Sequence, residues 1–311
     1  MQTVSLKEHW LVNLLKATLN GISQVVLIEN PITGFIFLLA ITISSYSLGI
    51  VAFLSALIGT LIAKIAGGDE EAIDQGLFGF NSVLTGMALT LFLNEPYHWM
   101  IALFGAAVAV IFTAAMMHFM KNLDIPVLTF PYIILTWFFL LTSYRLKAFK
   151  LSSDLVPQSL AHWELTITGE INWAHGIFNG IGQIFFLDTL VPGFILFVGV
   201  FWASWRLGLY AIIGNMAALA ISLLLGGEYS LIFSGLYGYN AILTIIAVSK
   251  VFIKDNHPIV LLSGIIAACL TVPIAASVIS WLLPFGLPAL TMPFVLCTWL
   301  LLAARKFLPK L

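Results

Sequence analysis

The sequence predicts an all-α polytopic membrane protein built from two inverted homologous repeats, each of five transmembrane helices plus one re-entrant half-helix. Three observations carry this. First, 61% of the 311 residues are hydrophobic and only 9% are charged, where soluble domains carry about 25% charged residues. At roughly 20 residues per helical crossing, the apolar sequence suffices for about ten crossings. Second, three blocks recur in the same order. LNGISQVV at 19–26 returns as FNGIGQIF at 178–185, and GLFGFNSVLTGMAL at 76–89 returns as GLYGYNAILTIIAV at 235–248, both offset by 159 residues. IPVLTFPY at 125–132 returns as LPALTMPF at 287–294, offset by 162. The matched positions include Asn, Gln, Gly, Pro and Thr, which a shared greasy composition does not reproduce. Third, five crossings per half is an odd number, so the second copy must run inverted.

In chain order, Trp10 to Leu27 comes first. Its Asn-Gly, its Gln and the Glu29-Asn30-Pro31 that follows make it too broken and too polar to span. It reads as a re-entrant half-helix, tolerated at membrane depth only against protein or a water-lined cavity. Apolar segments follow at 32–49, 51–66, 74–94, 98–119 and 125–143. A polar connection leads to the second copy, whose half-helix runs from Trp173 to Leu187 and is followed by Asp188-Thr189. The domains are therefore a first repeat at 1–143, an external connecting loop at 144–169 and a second repeat at 170–311. With the N-terminus cytoplasmic, Lys7, Lys16, Lys64, Lys121, Arg206, Lys250, Lys254, Arg305, Lys306 and Lys310 lie inside, against Arg145, Lys147 and Lys150 outside. This asymmetry follows the positive-inside rule and puts both termini in the cytoplasm. The three exceptions all sit in the central connection. The N-terminal stretch lacks the apolar core and small-residue cleavage site of a signal peptide and reads as mature sequence.

The duplicated polar residues are the functional candidates. Gln24 and Gln183 stand at the ends of the half-helices, where a helix C-terminus exposes up to four unpaired carbonyl oxygens. A single buried Gln is more often interhelical glue, but two equivalent ones near a pseudo-twofold axis converge, which favours a column of acceptors along a pore. Thr129 and Thr291 sit between two prolines, a broken helix start that frees backbone carbonyls. A lone transmembrane Thr usually bonds back to its own helix; the paired prolines here favour pore lining. Phe80 and Leu84, and Tyr239 and Leu243, share a helix face at i and i+4; taken alone, such a stripe reads as core or lipid-facing packing.

Several classes drop out. A net charge of −1 and no long Lys/Arg block exclude nucleic-acid binding. Cys269 and Cys297 have no C-x-x-C spacing and no nearby His, so neither a metal site nor a disulfide framework is expected. The apolar segments hold few ionisable residues, His118 and the paired acids Glu29 and Asp188 near the half-helix ends being those of note, without the nucleophile and base, acid pair or metal cluster of an enzyme. No cofactor or catalytic residue is expected. The same poverty of charge predicts a neutral solute and a passive path, since ion-coupled carriers need charged or carbonyl-lined relays.

The blocks N-G-I-x-Q-[VI], G-L-[FY]-G-[FY]-N and [IL]-P-x-L-T-x-P-[FY], once per half and in this order, resemble the bacterial urea transporter family over about Trp10 to Leu302. That resemblance implies a homotrimer in the bacterial inner membrane, with a pore in each subunit conducting urea down its gradient. It assigns the acceptor column to Gln24 and Gln183, the mid-pore threonines to Thr129 and Thr291, and an apolar slot to Phe80, Leu84, Tyr239, Leu243, Leu27 and Phe186, with Val25 and Ile184 narrowing the middle. Two positions depart from the pattern: Leu27 stands where relatives usually carry Phe, and Glu29 where an amide is common. The alternative is a channel for ammonia or another small neutral amide. An ammonia channel calls for paired pore histidines, and the repeat counterparts of His118 are Ser277 and Ser280. A non-conducting scaffold leaves the duplicated pore chemistry unexplained.

Overall fold

The computed structural model describes residues 2–94, 96–253 and 258–308. Lys254, Lys310 and the two terminal residues, used in the charge and orientation argument, lie outside them. Among the described residues every regular element is helical, apart from one isolated bridge between Leu93 and Leu151.

In the first half, α1 (Gln2–Ser23) closes in a 3-10 turn, Gln24–Val26, and α2 (Pro31–Ser44) follows, bent from it by 73°. Then come α3 (Tyr46–Ile65), a short α4 (Glu70–Asp74), α5 (Gly79–Phe92), α6 (His98–Met120) and α7 (Phe130–Thr142). The second half repeats this order. α8 (Trp173–Gly182) closes in a 3-10 turn, Gln183–Phe185, and α9 (Leu190–Ala203) leaves it at 75°. α10 (Trp205–Leu224), α11 (Tyr229–Phe233), α12 (Gly238–Ile246), α13 (Pro258–Leu282) and α14 (Met292–Arg305) complete it, with a π-helical turn, Ala247–Val251, ending α12. The all-α polytopic architecture read from the sequence is what the chain adopts.

Local chemistry sets the breaks. Pro31 starts α2 at a position whose N–H needs no helical partner, and the Asn30 side chain accepts from Thr33 N–H at 3.0 Å. The apolar run 32–49 is cut at Ser45, whose extended backbone ends α2 and whose hydroxyl accepts from Leu48 N–H to start α3. Asp69 caps α4 by accepting from Ala72 N–H at 2.9 Å. The first helix, expected as a half-length segment from Trp10, starts at Gln2 and has 22 residues, as long as α3 and α10.

Length divides the helices into two kinds. α3, α6, α10 and α13 have 20 to 25 residues, or about 30–37 Å at 1.5 Å per residue, enough to cross a hydrocarbon layer of about 30 Å. α5, α7, α12 and α14 have 9 to 14, about 13–21 Å. The apolar segments 74–94 and 125–143 are longer than the helices inside them, because part of each is turn or extended backbone.

The chain forms two compact units, Met1–Phe119 with Pro131–Ser152, and Met120–Phe130 with Ser153–Leu311. In the first, α1 packs on α2 and α3, and α3 on α5, around buried Ile22, Phe37, Ile41 and Met87. In the second, α12 packs on α8, α10, α13 and α14 around buried Phe185, Ile245 and Phe294. The link 120–130 of the first repeat is thus gathered into the second unit.

Gly76 and Gly235 fix the closest backbone approaches. Both have positive φ (81° and 90°), and a Cβ there would stand 2.4 Å from Gly21 N or 2.5 Å from Asn179 C. Gly67 and Gly226 also have positive φ, but a Cβ there meets nothing within 4 Å. Gly76→Ala or Gly235→Ala combines left-handed strain with a backbone clash and should cost about 3 kcal/mol, whereas Gly67→Ala or Gly226→Ala carries strain alone, about 1–2 kcal/mol. Thermal unfolding of the four purified variants checks this ranking.

Candidate functional site

Blocks one and two form one connected structure in each unit. The block-one asparagines tie each half-helix to the turn before block two: Asn20 Nδ2 donates to Asp74 O at 2.7 Å, and Asn179 Nδ2 to Phe233 O at 3.4 Å. The adjacent glycine lets the backbones touch; a Cβ on Gly21 would lie 3.1 Å from Gly79 Cα. In the second unit Asn215, opposite Ala56 in the repeat, adds a brace, donating to the carbonyls of Gly176 and Ile177 at 3.2 and 2.9 Å.

Each half-helix ends in the same cap. Leu27 N–H bonds to Gln24 O at 2.9 Å and Ile28 N–H to Ser23 O at 3.3 Å; in the second copy Phe186 N–H bonds to Gln183 O at 3.2 Å and Leu187 N–H to Gly182 O at 3.0 Å. This is the Schellman arrangement, whose left-handed residue is ordinarily glycine. Here that residue is Leu27 (φ 60°) or Phe186 (φ 59°), a conformation costing a side-chain-bearing residue roughly 1–2 kcal/mol. The exposure pattern also repeats: Gln24 and Gln183 half-buried, Val25 and Ile184 buried, Leu27 and Phe186 half-buried. Gln24 Oε1 is itself buried and has no hydrogen-bond partner among the described residues.

Block two serves block three. α7 and α14 start with Phe130-Pro131 and Met292-Pro293, so one of the unpaired N–H groups of a helix start is absent. The next N–H is taken by an asparagine from another helix: Tyr132 N–H donates to Asn81 Oδ1 at 3.4 Å, and Phe294 N–H to Asn240 Oδ1 at 3.0 Å. Both asparagines are fully buried. Just before these starts Leu128 (φ 53°) and Leu290 (φ 52°) are again left-handed. Thr129 and Thr291 follow. Their hydroxyls meet each other at 2.7 Å, and both residues are only 2% exposed. Thr291 caps no helix with its side chain. Trp299 Nε1 donates to Pro126 O at 2.8 Å, and its ring lies 5.1 Å from that of Phe130.

The aromatic and leucine positions are interior. Phe80, Leu84, Tyr239 and Leu243 are all buried, so none belongs to a lipid-facing stripe. The two aromatics differ chemically, because the Tyr239 hydroxyl donates to Leu290 O beside Thr291. Gln24, Val25, Leu27, Phe80 and Leu84 belong to the first compact unit; Thr129, Gln183, Ile184, Phe186, Tyr239, Leu243 and Thr291 belong to the second. His118 is exposed on α6, as are Glu29 and Asp188 beyond the half-helices. Among the described residues no group of three His, Cys, Asp or Glu side chains is placed to hold a metal.

Sequence reasoning passed over Asn81 and Asn240. The available signal was their recurrence inside a matched block, followed in each half about a third of a repeat later by an x-Pro helix start. Leu128 and Leu290 gave no signal, since leucine has no leaning toward left-handed backbone.

A family model described as Urea transporter matches residues 15–306. Urea transporter 1 of Ovis aries is 27% identical over 289 residues, covering 91% of this chain and 75% of that protein. The proteins of the same name from Capra hircus and Rattus norvegicus align with the same identity and coverage.

Replacing either asparagine leaves a buried N–H without an acceptor, at about 1–3 kcal/mol. Asn240→Ala, which removes the shorter bond, should lower the thermal midpoint more than Asn81→Ala, and both should melt below the parent protein in the same detergent.

Proposed function

The chain belongs to the urea transporter family, and we propose that it carries urea passively, through a pore in each subunit that offers oxygen acceptors along one side and apolar walls across it. The observation that carries this reading is the Thr129–Thr291 pair, in which two helix starts broken in the same way, 162 residues apart in sequence, present their hydroxyls to one another. In such a pair one hydroxyl donates to the other, which leaves one O–H and several lone pairs for a third molecule. Urea is flat and uncharged, with four N–H donors and one carbonyl. Entering a dry slot unsatisfied, it loses about 1–3 kcal/mol per group. The threonine oxygens, the Gln24 and Gln183 side chains and the carbonyls at the half-helix ends replace those bonds in turn.

The apolar residues supply selection by shape. Phe80, Leu84, Tyr239, Leu243, Leu27 and Phe186 form the slot walls, and Val25 and Ile184 its narrowest part. Hydrated ions would meet no counter-charge there, and branched polyols would not fit a slot shaped for a flat solute. The exposed position of His118 speaks against a histidine-based ammonia path. We read the two halves, 1–143 and 170–311, as inverted repeats joined by an external loop. Five crossings in each are reached when the short helices α5, α7, α12 and α14 are completed by the irregular backbone ahead of them, as in other carriers built around interrupted helices. The excess of Lys and Arg on one side supports cytoplasmic termini. A homotrimer and a bacterial inner membrane follow from the motif resemblance.

Stopped-flow light scattering on proteoliposomes tests the reading, with inward gradients of urea, formamide, ammonia and glycerol. Urea entry is expected to be fast, saturable and indifferent to proton or sodium gradients, with little glycerol flux; ammonia entry without urea entry overturns it. Thr129→Val and Thr291→Val should each slow urea about fivefold, the loss of one hydrogen bond of about 1 kcal/mol, with the melting curve retained. Gln24→Leu combined with Gln183→Leu should abolish conduction, and an active double variant would remove the acceptor column.

A further inference from the structure

The three cations that break the positive-inside pattern, Arg145, Lys147 and Lys150, adjoin a feature that the pore does not use. Phe138, Leu141, Thr142 and Arg145 stand at i, i+3, i+4 and i+7 and so share one helical face. The chain keeps that register past the last residue of α7, because Arg145 N–H and Leu146 N–H both bond to Thr142 O, at 2.9 and 2.7 Å. With Leu146 these residues line a shallow, open groove on the surface. Its walls are almost wholly apolar, and Phe138 and Leu146 are more than half exposed.

The segment behind the groove is held in place. The Phe139 ring lies 6.3 Å from Phe104 and 6.0 Å from Phe149, in edge and tilted contacts. Asn94 N–H donates to Lys150 O, and Ser152 N–H to Phe92 O, both at 2.8 Å. Arg145 therefore stands at a fixed end of an apolar trough, with Lys147 and Lys150 exposed within five residues of it.

We propose that this groove binds one anionic phospholipid, its acyl chain along Phe138, Leu141 and Leu146 and its phosphate on Arg145, with the two lysines adding to the field. A guanidinium is weakly hydrated and presents a donor fork matched to phosphate oxygens. Each Lys or Arg near an anionic headgroup strengthens the association by about fivefold. A zwitterionic lipid gains the trough but not this charge term.

Native mass spectrometry of the full-length protein, titrated with phosphatidylglycerol or with phosphatidylcholine of the same chains, tests the proposal. Phosphatidylglycerol should be retained at least about fivefold better. That preference should shrink in Lys147→Gln/Lys150→Gln, persist in part in Arg145→Lys, fall about fivefold in Arg145→Gln and vanish in the triple Gln variant, with melting temperatures confirming that each variant is folded. Equal retention of the two lipids by the parent protein overturns the proposal. So does an undiminished preference in the triple Gln variant, or a groove protected by association of a second copy in place of lipid. Urea flux plays no part in the readout, so the test stands apart from the transport reading.

Discussion

A helix that begins in a buried interior must find a protein acceptor for its first N–H groups, because no water reaches them. In this chain that requirement falls on Asn81 and Asn240, and much of the structure follows from it. Each asparagine reaches the start of a proline-opened helix only because α5 or α12 begins at a particular place. That place is set by glycines on which the half-helix backbone rests, Gly76 and Gly79 in the first unit, Gly235 and Gly238 in the second. The same half-helix ends in the Gln-bearing cap. Block two is thus tied on one side to the half-helix and on the other to a proline-opened helix start.

Strain is placed at the same locations. Among the described residues the non-glycine positions with left-handed backbone are Leu27, Asp124, Leu128, Phe186 and Leu290; four of the five form repeat pairs, and the counterpart of Asp124 is Gly286, also left-handed. Such conformations persist where the surroundings over-determine them, and they gather at functional sites. Here they turn the backbone at the half-helix ends and beside the threonines. The copies are not chemically equal. Tyr239 ties its hydroxyl to the carbonyl of Leu290, a bond that Phe80 cannot make.

Much of this was legible from residue order. Long helices such as α6 declare themselves by length and hydropathy, and duplication exposed the glutamines and threonines. Other features were hidden for physical reasons. Hydropathy does not distinguish helical from extended apolar backbone, so the runs 74–94 and 125–143 merged turns with helices. The break at Ser45 lay inside a continuous apolar stretch, visible only through its cap. The left-handed sites are occupied by Leu and Phe, whose preferences point elsewhere. The mutual hydrogen bond of Thr129 and Thr291 joins residues too far apart for any local rule.

The placement of the link 120–130 also bears on how the molecule comes into being. Pro126 meets Trp299, Thr129 meets Thr291, and Asp124 meets Lys306 at 3.5 Å. In each case the first partner is synthesised earlier and the second lies in or next to the final helix. A nascent chain must hold an incomplete centre until translation has almost finished, and contacts of such separation form slowly. A chain that stops before the final helix lacks Thr291, so the contact between the two threonine hydroxyls forms only when synthesis is nearly complete.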